Sequence, residues 1–254
     1  MRLQDNQHYL LLLWLVITGL IIFGVVVSWQ EDLIWQLIDG DRSRICLLIG
    51  LLYVLASIHC AIRVVFLSRE LEGAETVASQ LSAAGLERPL KNQNGTLMLV
   101  PDVPLKNCVM TEHLIDLIIS KQERLNPDAP NEHSNLTEAL SERLKGAHEL
   151  GWFVVDILLK LGLIGTIIGF VLMLGSVSNT STFDVTTMQK ILREMSSGMG
   201  TALFTTLAGL VGSMLLGLQY LLLDKGADEL LHRIIRVAEI QLKPRINGDR
   251  ERLT

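Results

Sequence analysis

Charge is scarce in this chain. Only 19% of its 254 residues are charged, against about 25% in an ordinary soluble domain, while 49% are hydrophobic and the mean hydropathy is +0.39. That balance argues against a soluble globule and for a membrane protein. Cysteine is scarce as well. Cys46, Cys60 and Cys108 are an odd number scattered through apolar or loop sequence, which gives neither a disulfide framework nor a metal-ligand spacing. They read as packing residues, and no metal is expected. A long basic run is missing, and with a net charge of -5 the chain has nothing with which to grip nucleic acid. Also missing are a nucleophile matched to a base and a glycine-rich phosphate loop. The expectation is a protein that is not an enzyme and carries no cofactor.

What is present is four long uncharged runs, each near the roughly 20 residues needed to cross ~30 Å of hydrocarbon. Asn6 to Gln30 carries no charge, and its core Tyr9–Trp29 has aromatic residues at both ends, where interfacial rings belong. The run exceeds the about 7–15 residues of a signal-peptide core, and no small-x-small cleavage site follows Val27-Ser28-Trp29. It reads as a retained span. Ile45–Ile62 is the second span, ending at Arg63, and the short acidic connection Glu31–Arg44 makes a hairpin of the two. Leu161–Phe183, following Trp152, is the third, and Met195–Leu223 the fourth. Lysine and arginine, Lys160 at the end of the third span apart, number 17 on the side of the termini and the large loop, against 4 (Arg42, Arg44, Lys190 and Arg193) on the other. Flanking loops rich in these residues stay in the cytoplasm, so both termini and the loop are expected there. The reading gives an all-α membrane protein of four transmembrane helices with long cytoplasmic helical extensions. Its parts are an N-terminal hairpin (1–66), a cytoplasmic helical loop region (67–150), a pore-forming pair of spans with a short periplasmic loop (151–223) and an amphipathic tail (224–254).

Within the large loop, Ser68–Glu87 has helical composition, and Pro89, Asn94-Gly95, Pro101 and Pro104 then interrupt it. Leu97–Val100 reads as a short strand, Cys108–Leu125 as a helix, and Asn126–Ser134, with Pro127 and Pro130, as a turn. Asn135 with Glu138 has the form of a capping box opening a helix that nothing interrupts before Val177, a rod of about 60 Å. In the tail, Leu223, Ala227, Leu230, Ile234, Val237 and Gln241 recur at alternating spacings of four and three until Pro244. This predicts an amphipathic helix packed on a neighbour.

The third span contains Gly162-Leu163-Ile164-Gly165-Thr166-Ile167-Ile168-Gly169, and the fourth contains Gly200-Thr201-Ala202-Leu203-Phe204-Thr205-Thr206-Leu207-Ala208-Gly209. Small residues three and four apart let helix backbones approach closely in lipid, so Gly162, Gly165, Gly169 and Gly209 read first as packing positions. Thr166, Thr201, Thr205 and Thr206 place several hydroxyls in hydrocarbon, more than packing requires. Asp156 and Lys160, four apart at the end of the third span, can pair along one helix face as interfacial groups or as a candidate inner gate. His59, in the second span, is an ionisable group that can relay protons or simply bond a neighbouring helix.

The pattern Gly-x-x-Gly-Thr-x-x-Gly over 162–169, followed by Ala-Leu-x-x-Thr-x-x-Gly over 202–209, resembles the pore-forming helix pair of the MotA/TolQ/ExbB proton-channel family. The resemblance covers about 151–230, and four crossings with a large loop between the second and third are the flagellar-stator arrangement of that family. It implies a bacterial inner-membrane homopentamer around a single-span partner like MotB, ExbD or TolR, whose membrane aspartate carries protons or sodium past a ring of threonines. Thr166 and Thr206 match the family's two pore threonines, with Thr205 and Thr201 beside them. Leu159 stands where the family usually has proline, Leu221 where the stators have one, and Thr201 where the ExbB and TolQ branches have glutamate. The implied function is ion-driven mechanical work rather than specifically a flagellar motor. Two rivals remain at this point: a non-conducting scaffold of the same fold, favoured by the absent prolines, and a small secondary transporter, which would call for repeats or broken helices the sequence does not show. Independently of any family, the charge-free cores of all four spans lack Asp and Glu. An ion crossing hydrocarbon usually uses an ionisable group near the midplane, so a carboxylate from another chain is the natural completion.

Overall fold

The computed structural model describes residues 9–84, 90–93, 96–99, 103–123, 132–178 and 185–242. Among the described residues there are six helices: α1 (Tyr9–Gln30), α2 (Leu33–Gly40), α3 (Ile45–Ala83), α4 (Val109–Glu123), α5 (Glu132–Ser178) and α6 (Val185–Val237), the last continuing into a π turn at Ala238–Leu242. Between α3 and α4 lies a small antiparallel sheet of β1 (Leu90–Gln93), β2 (Thr96–Leu99) and β3 (Val103–Pro104) in that order. Four helices are long and apolar enough to cross a membrane, within Leu11–Gln30, Ile45–Ala83, Asn135–Gly175 and Val185–Leu242. The chain is a helical, multi-pass membrane protein, as its composition predicts.

Several local expectations change. The second span and the helical stretch after Ser68 form one uninterrupted helix, because between Ile62 and Ala83 there is no proline and a single glycine, Gly73. The predicted strand at Leu97–Val100 is β2, joined by two further strands whose register pairs Leu90 with Leu99 and Met98 with Pro104. α5 opens at Glu132, three residues before the expected cap, so Asn135 lies inside the first turns rather than at the boundary. Nothing after Pro130 opposes the earlier start. At 47 residues α5 is about 70 Å long. The turn expected around Pro127 and Pro130, the loop punctuation at Pro89, Asn94-Gly95 and Pro101, and the stop at Pro244 lie outside the described residues.

The chain divides into two compact units. One comprises Leu12–Ile62 with His148–Leu222, which contains the four spans. Its outer surface is apolar: Leu20, Phe23, Ile62, Ile167 and Met214 are all more than half exposed, as residues facing lipid should be.

The other unit comprises Met1–Leu11, Arg63–Ala147 and the chain from Leu223. It is a helix bundle with a dry core at helical spacing. From α3 come Val64, Leu67, Leu71, Ala74, Val77 and Leu81; from α6 come Leu223, Ala227, Leu230 and Ile234, each fully buried. The tail's periodicity is therefore its buried stripe. Polar contacts fix the register at the edges of that core. The half-buried Arg233 on α6 pairs with Glu75 on α3 (3.2 Å) and with Glu229 (2.8 Å), and Gln241 donates to Ser82 (2.7 Å). Lys145 on α5 meets Asp228 (2.6 Å). The Glu70 carboxylate accepts the Val109 N–H (2.8 Å), satisfying one orphan donor at the start of α4. A Cβ at Gly73 would stand 3.1 Å from that of Cys108, which is why the helix-weakening residue sits where it does.

Replacing Leu230 with alanine is expected to destabilise the protein by about 2–5 kcal/mol, the usual range for emptying a closed core site. His232→Ala, on the exposed side of the same turn, should change stability by less than about 0.5 kcal/mol. Thermal unfolding of the purified full chain, followed by helical circular dichroism, measures both.

Candidate functional site

Within the membrane unit, α5 and α6 meet along a seam where backbone lies against backbone. A Cβ added at Gly209 would stand 2.8 Å from the Gly162 Cα and from the Leu158 carbonyl oxygen, and one at Gly162 would stand 3.1 Å from the Gly209 Cα. At the other end, a Cβ at Gly169 would lie 2.6 Å from the Ala202 nitrogen and the Gly198 oxygen. Gly165, between them, receives the side chain of Thr205, leaving no room for a Cβ. The register descends α5 while ascending α6, from Gly169 against Gly198 and Ala202 to Gly162 against Gly209. The stripe ends at Gly151, whose missing side chain makes space for the ring of Tyr220. Lipid tails are as apolar as leucine, so nothing hydrophobic drives this contact; close van der Waals packing of small residues does.

The four sequence-selected threonines fall into two kinds. Thr201 and Thr205 are fully buried. Thr205 turns its hydroxyl back to the carbonyls of Thr201 (2.8 Å) and Ala202 (3.1 Å) and fills the notch at Gly165. Thr201 donates to the Gly40 carbonyl (2.9 Å) and accepts the Arg42 N–H (3.3 Å). It clamps the connection between the first two spans onto α6. Thr166 and Thr206 are only partly covered, and each hydroxyl bonds its own helix, Thr166 to the Leu163 carbonyl (2.5 Å) and Thr206 to the Ala202 carbonyl (2.9 Å). Such back-bonding is how a helical hydroxyl is satisfied in hydrocarbon, and it leaves the oxygen's lone pairs as acceptors. Both residues flank the seam: Thr166 follows Gly165, and the Thr206 Cα lies 3.5 Å from the Cβ position of Gly162.

Other polar groups fall away from the seam. Asp156 and Lys160 form an ion pair on an exposed face of α5. His59 bonds the Tyr220 hydroxyl through Nδ1 (2.9 Å), and that hydroxyl also donates to the Ala56 carbonyl (3.2 Å), so histidine and tyrosine tie α3 to α6. Sequence reasoning overlooked Tyr220 and Gly151, although a glycine and a bulky aromatic residue at opposite ends of two adjacent spans are the signature of such a notch. It also overlooked Gln219, which is fully buried in α6, and Tyr53 on the second span. The three cysteines are all buried and free. Among the described residues no group of His, Cys, Asp and Glu has the geometry to hold a metal ion.

Asp41, in the connection between the first two spans, organises the start of α3. Its carboxylate accepts the Ser43 N–H (2.9 Å), the Ser43 hydroxyl (2.5 Å) and the Cys46 N–H (2.6 Å). Burial raises the pKa of this group, but the hydrogen bonds from Ser43 and Cys46 together outweigh it and hold the carboxyl below its ordinary value.

The family model described as the MotA/TolQ/ExbB proton channel family matches residues 116–235, from within α4 through α5 and most of α6. No curated protein and no solved structure is similar enough to the chain to be matched.

Gly209→Val is expected to force α5 and α6 apart and to abolish recovery of folded protein, whereas Gly24→Ala, with nothing within 4 Å of its Cβ position, should be neutral; yield and monodispersity after detergent extraction check both. A depressed carboxyl stabilises the fold above its unfolded pKa of about 3.9 and loses that contribution as pH falls through the lower folded value. The stability difference between the native chain and Asp41→Asn should therefore be constant near neutral pH and shrink on acidification below about pH 4, measured by thermal unfolding across pH.

Proposed function

We propose, from the premise that residues 116–235 belong to the MotA/TolQ/ExbB proton channel family, that the chain is the ring-forming subunit of an ion-driven motor. In this reading several copies, five by family resemblance, surround a single-span partner in the bacterial inner membrane. Both termini and the loop region lie in the cytoplasm. The partner's carboxylate binds a proton or sodium ion, passes the hydroxyls of Thr166 and Thr206, and on neutralisation releases one subunit and engages the next. Rotation of the ring around the partner turns ion flow into mechanical work.

The single observation that carries the proposal is the division of the threonines by the glycine seam. Thr201 and Thr205 are consumed by packing inside the subunit, while Thr166 and Thr206 remain partly uncovered beside it with acceptor capacity to spare. We therefore assign the path to Thr166 and Thr206, and give Thr205 and Thr201 the supporting roles of notch and clamp. The apolar cores of the spans carry no Asp or Glu, so a mobile carboxylate has to come from elsewhere, and a hydroxyl wall stabilises it without trapping it as a fixed cation would. In this reading Asp156 and Lys160, an exposed ion pair on α5, act as a gate at the cytoplasmic exit.

Ion flux into vesicles holding the chain with its single-span partner tests the assignment. Thr206→Ala and Thr166→Ala should each lower flux at least tenfold with assembly intact, Thr205→Ser should leave it within about twofold, and changing the partner's aspartate to asparagine should abolish it. Full flux in Thr206→Ala and Thr166→Ala together contradicts the path.

A further inference from the structure

The packing of the membrane unit places an ion pair deeper than the sequence of α5 alone indicates. A Cβ added at Gly212 of α6 would stand 3.7 Å from Cγ2 of Ile49 on α3 and 3.9 Å from Cδ1 of Leu158 on α5, so these three residues share one level. From that level α6 runs on without a charged residue through Leu223 and α3 through Ile62, about 16 and 20 Å along their axes. Over the same stretch the three helices stay in step, since Gly151 of α5 holds the ring of Tyr220 on α6, and Tyr220 bonds His59 on α3. α5 alone carries charge there, with Asp156 and Lys160 on either side of Leu158 in sequence.

At about 100° per residue, Asp156 and Lys160 lie on the side of α5 opposite Leu158 and Gly162. Leu158 is fully buried, whereas the paired side chains are exposed at 52% and 65%. Glu149, seven residues before Asp156, lies on the same side and is also exposed. It precedes Gly151 by two residues, close to the level at which the uncharged runs of α3 and α6 end. Charge on this side of α5 therefore starts at that level and continues inward for about 16 Å. Beyond Lys160 the same side becomes apolar, with Leu163 and Ile167 exposed at 53% and 63%.

We propose that this side of α5 lines a water-filled vestibule that opens at Glu149 and ends at Lys160, so that the dry part of the ion path begins only at Leu161. The inference rests on the proposed ring for the enclosing walls and on its orientation for the cytoplasmic opening; it adds where water enters. Lipid is a poor cover, because charged groups at such depth face a bundle interior or a water-filled cavity, and a short carboxylate side chain cannot reach a headgroup about 16 Å away. A second copy is a poor cover as well. At this level the chain presents Leu51 and Leu55 on α3 and Leu210 and Met214 on α6, which are all exposed and apolar. The hydroxyls of Thr206 and Ser213 already donate within α6. Such a surface offers no donor to the free lone pairs of the carboxylate, and water does. Two acids against one lysine leave this wall net negative, which favours the entry of cations.

Cysteine labelling tests the proposal in the full chain with Cys46, Cys60 and Cys108 replaced by alanine, in inside-out membrane vesicles. A membrane-impermeant cationic thiosulfonate is added to Glu149→Cys, Phe153→Cys, Lys160→Cys and Ile167→Cys. Labelling rates at 149, 153 and 160 should lie within about tenfold of one another, and the rate at 167 at least tenfold below them all. Phe153→Cys keeps both members of the pair and reads the same side of α5 should Lys160→Cys fail to assemble. Labelling at 149 with none at 153 and 160 overturns the vestibule; disulfide-linked dimers formed there on oxidation would then identify a second copy as the cover, and their absence lipid. Equal rates at all four positions overturn its end at Lys160. The measurement needs neither partner nor gradient, so it fails separately from the motor reading: flux without labelling counts against the vestibule alone, labelling without flux against the motor alone.

Discussion

Backbone contact between α5 and α6 is the constraint on which the remaining features of the membrane unit rest. Gly162, Gly169, Gly198 and Gly209 bring main chain within van der Waals reach of main chain, and no larger residue is admitted at those positions without separating the helices. Because hydrocarbon offers no hydrophobic reward for helix association, this contact has to be made by shape. Its register decides which threonines are consumed and which remain uncovered. Thr205 falls into the notch at Gly165 and disappears, while Thr206, one residue on and about 100° around the helix, comes out at the flank.

The two units use different physics with the same helices. In the span-bearing unit, several polar side chains are met by nearby groups: Thr166, Thr205 and Thr206 by carbonyls of their own helices, His59 and Tyr220 by each other. In the unit built from Arg63–Ala147 and the end of α6, burial of leucine, isoleucine and valine supplies the cohesion, and charged pairs such as Arg233 with Glu75 select the register. α3, α5 and α6 each carry a membrane-type segment and a soluble-type segment in one unbroken helix. Continuity of this kind is a property of the backbone: neither α5 nor α6 contains a proline, and the departures Leu159 and Leu221 occupy mid-helix positions with exposed side chains.

The four spans, the glycine stripe and the tail's buried face were legible in the sequence because each is a periodic signal, and periodicity survives without coordinates. Leu223, Ala227, Leu230 and Ile234 announced a core stripe and form one. The separate fates of Thr201, Thr205 and Thr206 were not legible, since all three are hydroxyls in one apolar run and only the partner helix distinguishes them. The tie between Thr201 and Gly40, 161 residues apart, is invisible to any local pattern. Gly151 and Tyr220 escaped for the same reason: a notch and its occupant are recognisable only once the register of two helices is fixed. The start of α5 was misplaced by three residues because a good capping sequence at Asn135 competed with a helix that had no physical reason to wait for it.

The proposed ion path, built from uncovered threonines, is incomplete within one chain. The central claim is that the missing group is a carboxylate on a second protein, and the most direct test is ion flux in two sets of vesicles, one with this chain alone and one with the chain and its single-span partner, at matched protein density under the same imposed gradient. The account predicts background flux from the chain alone and flux well above background from the pair. Equal flux from both would place the ion carrier within this chain and contradict the account.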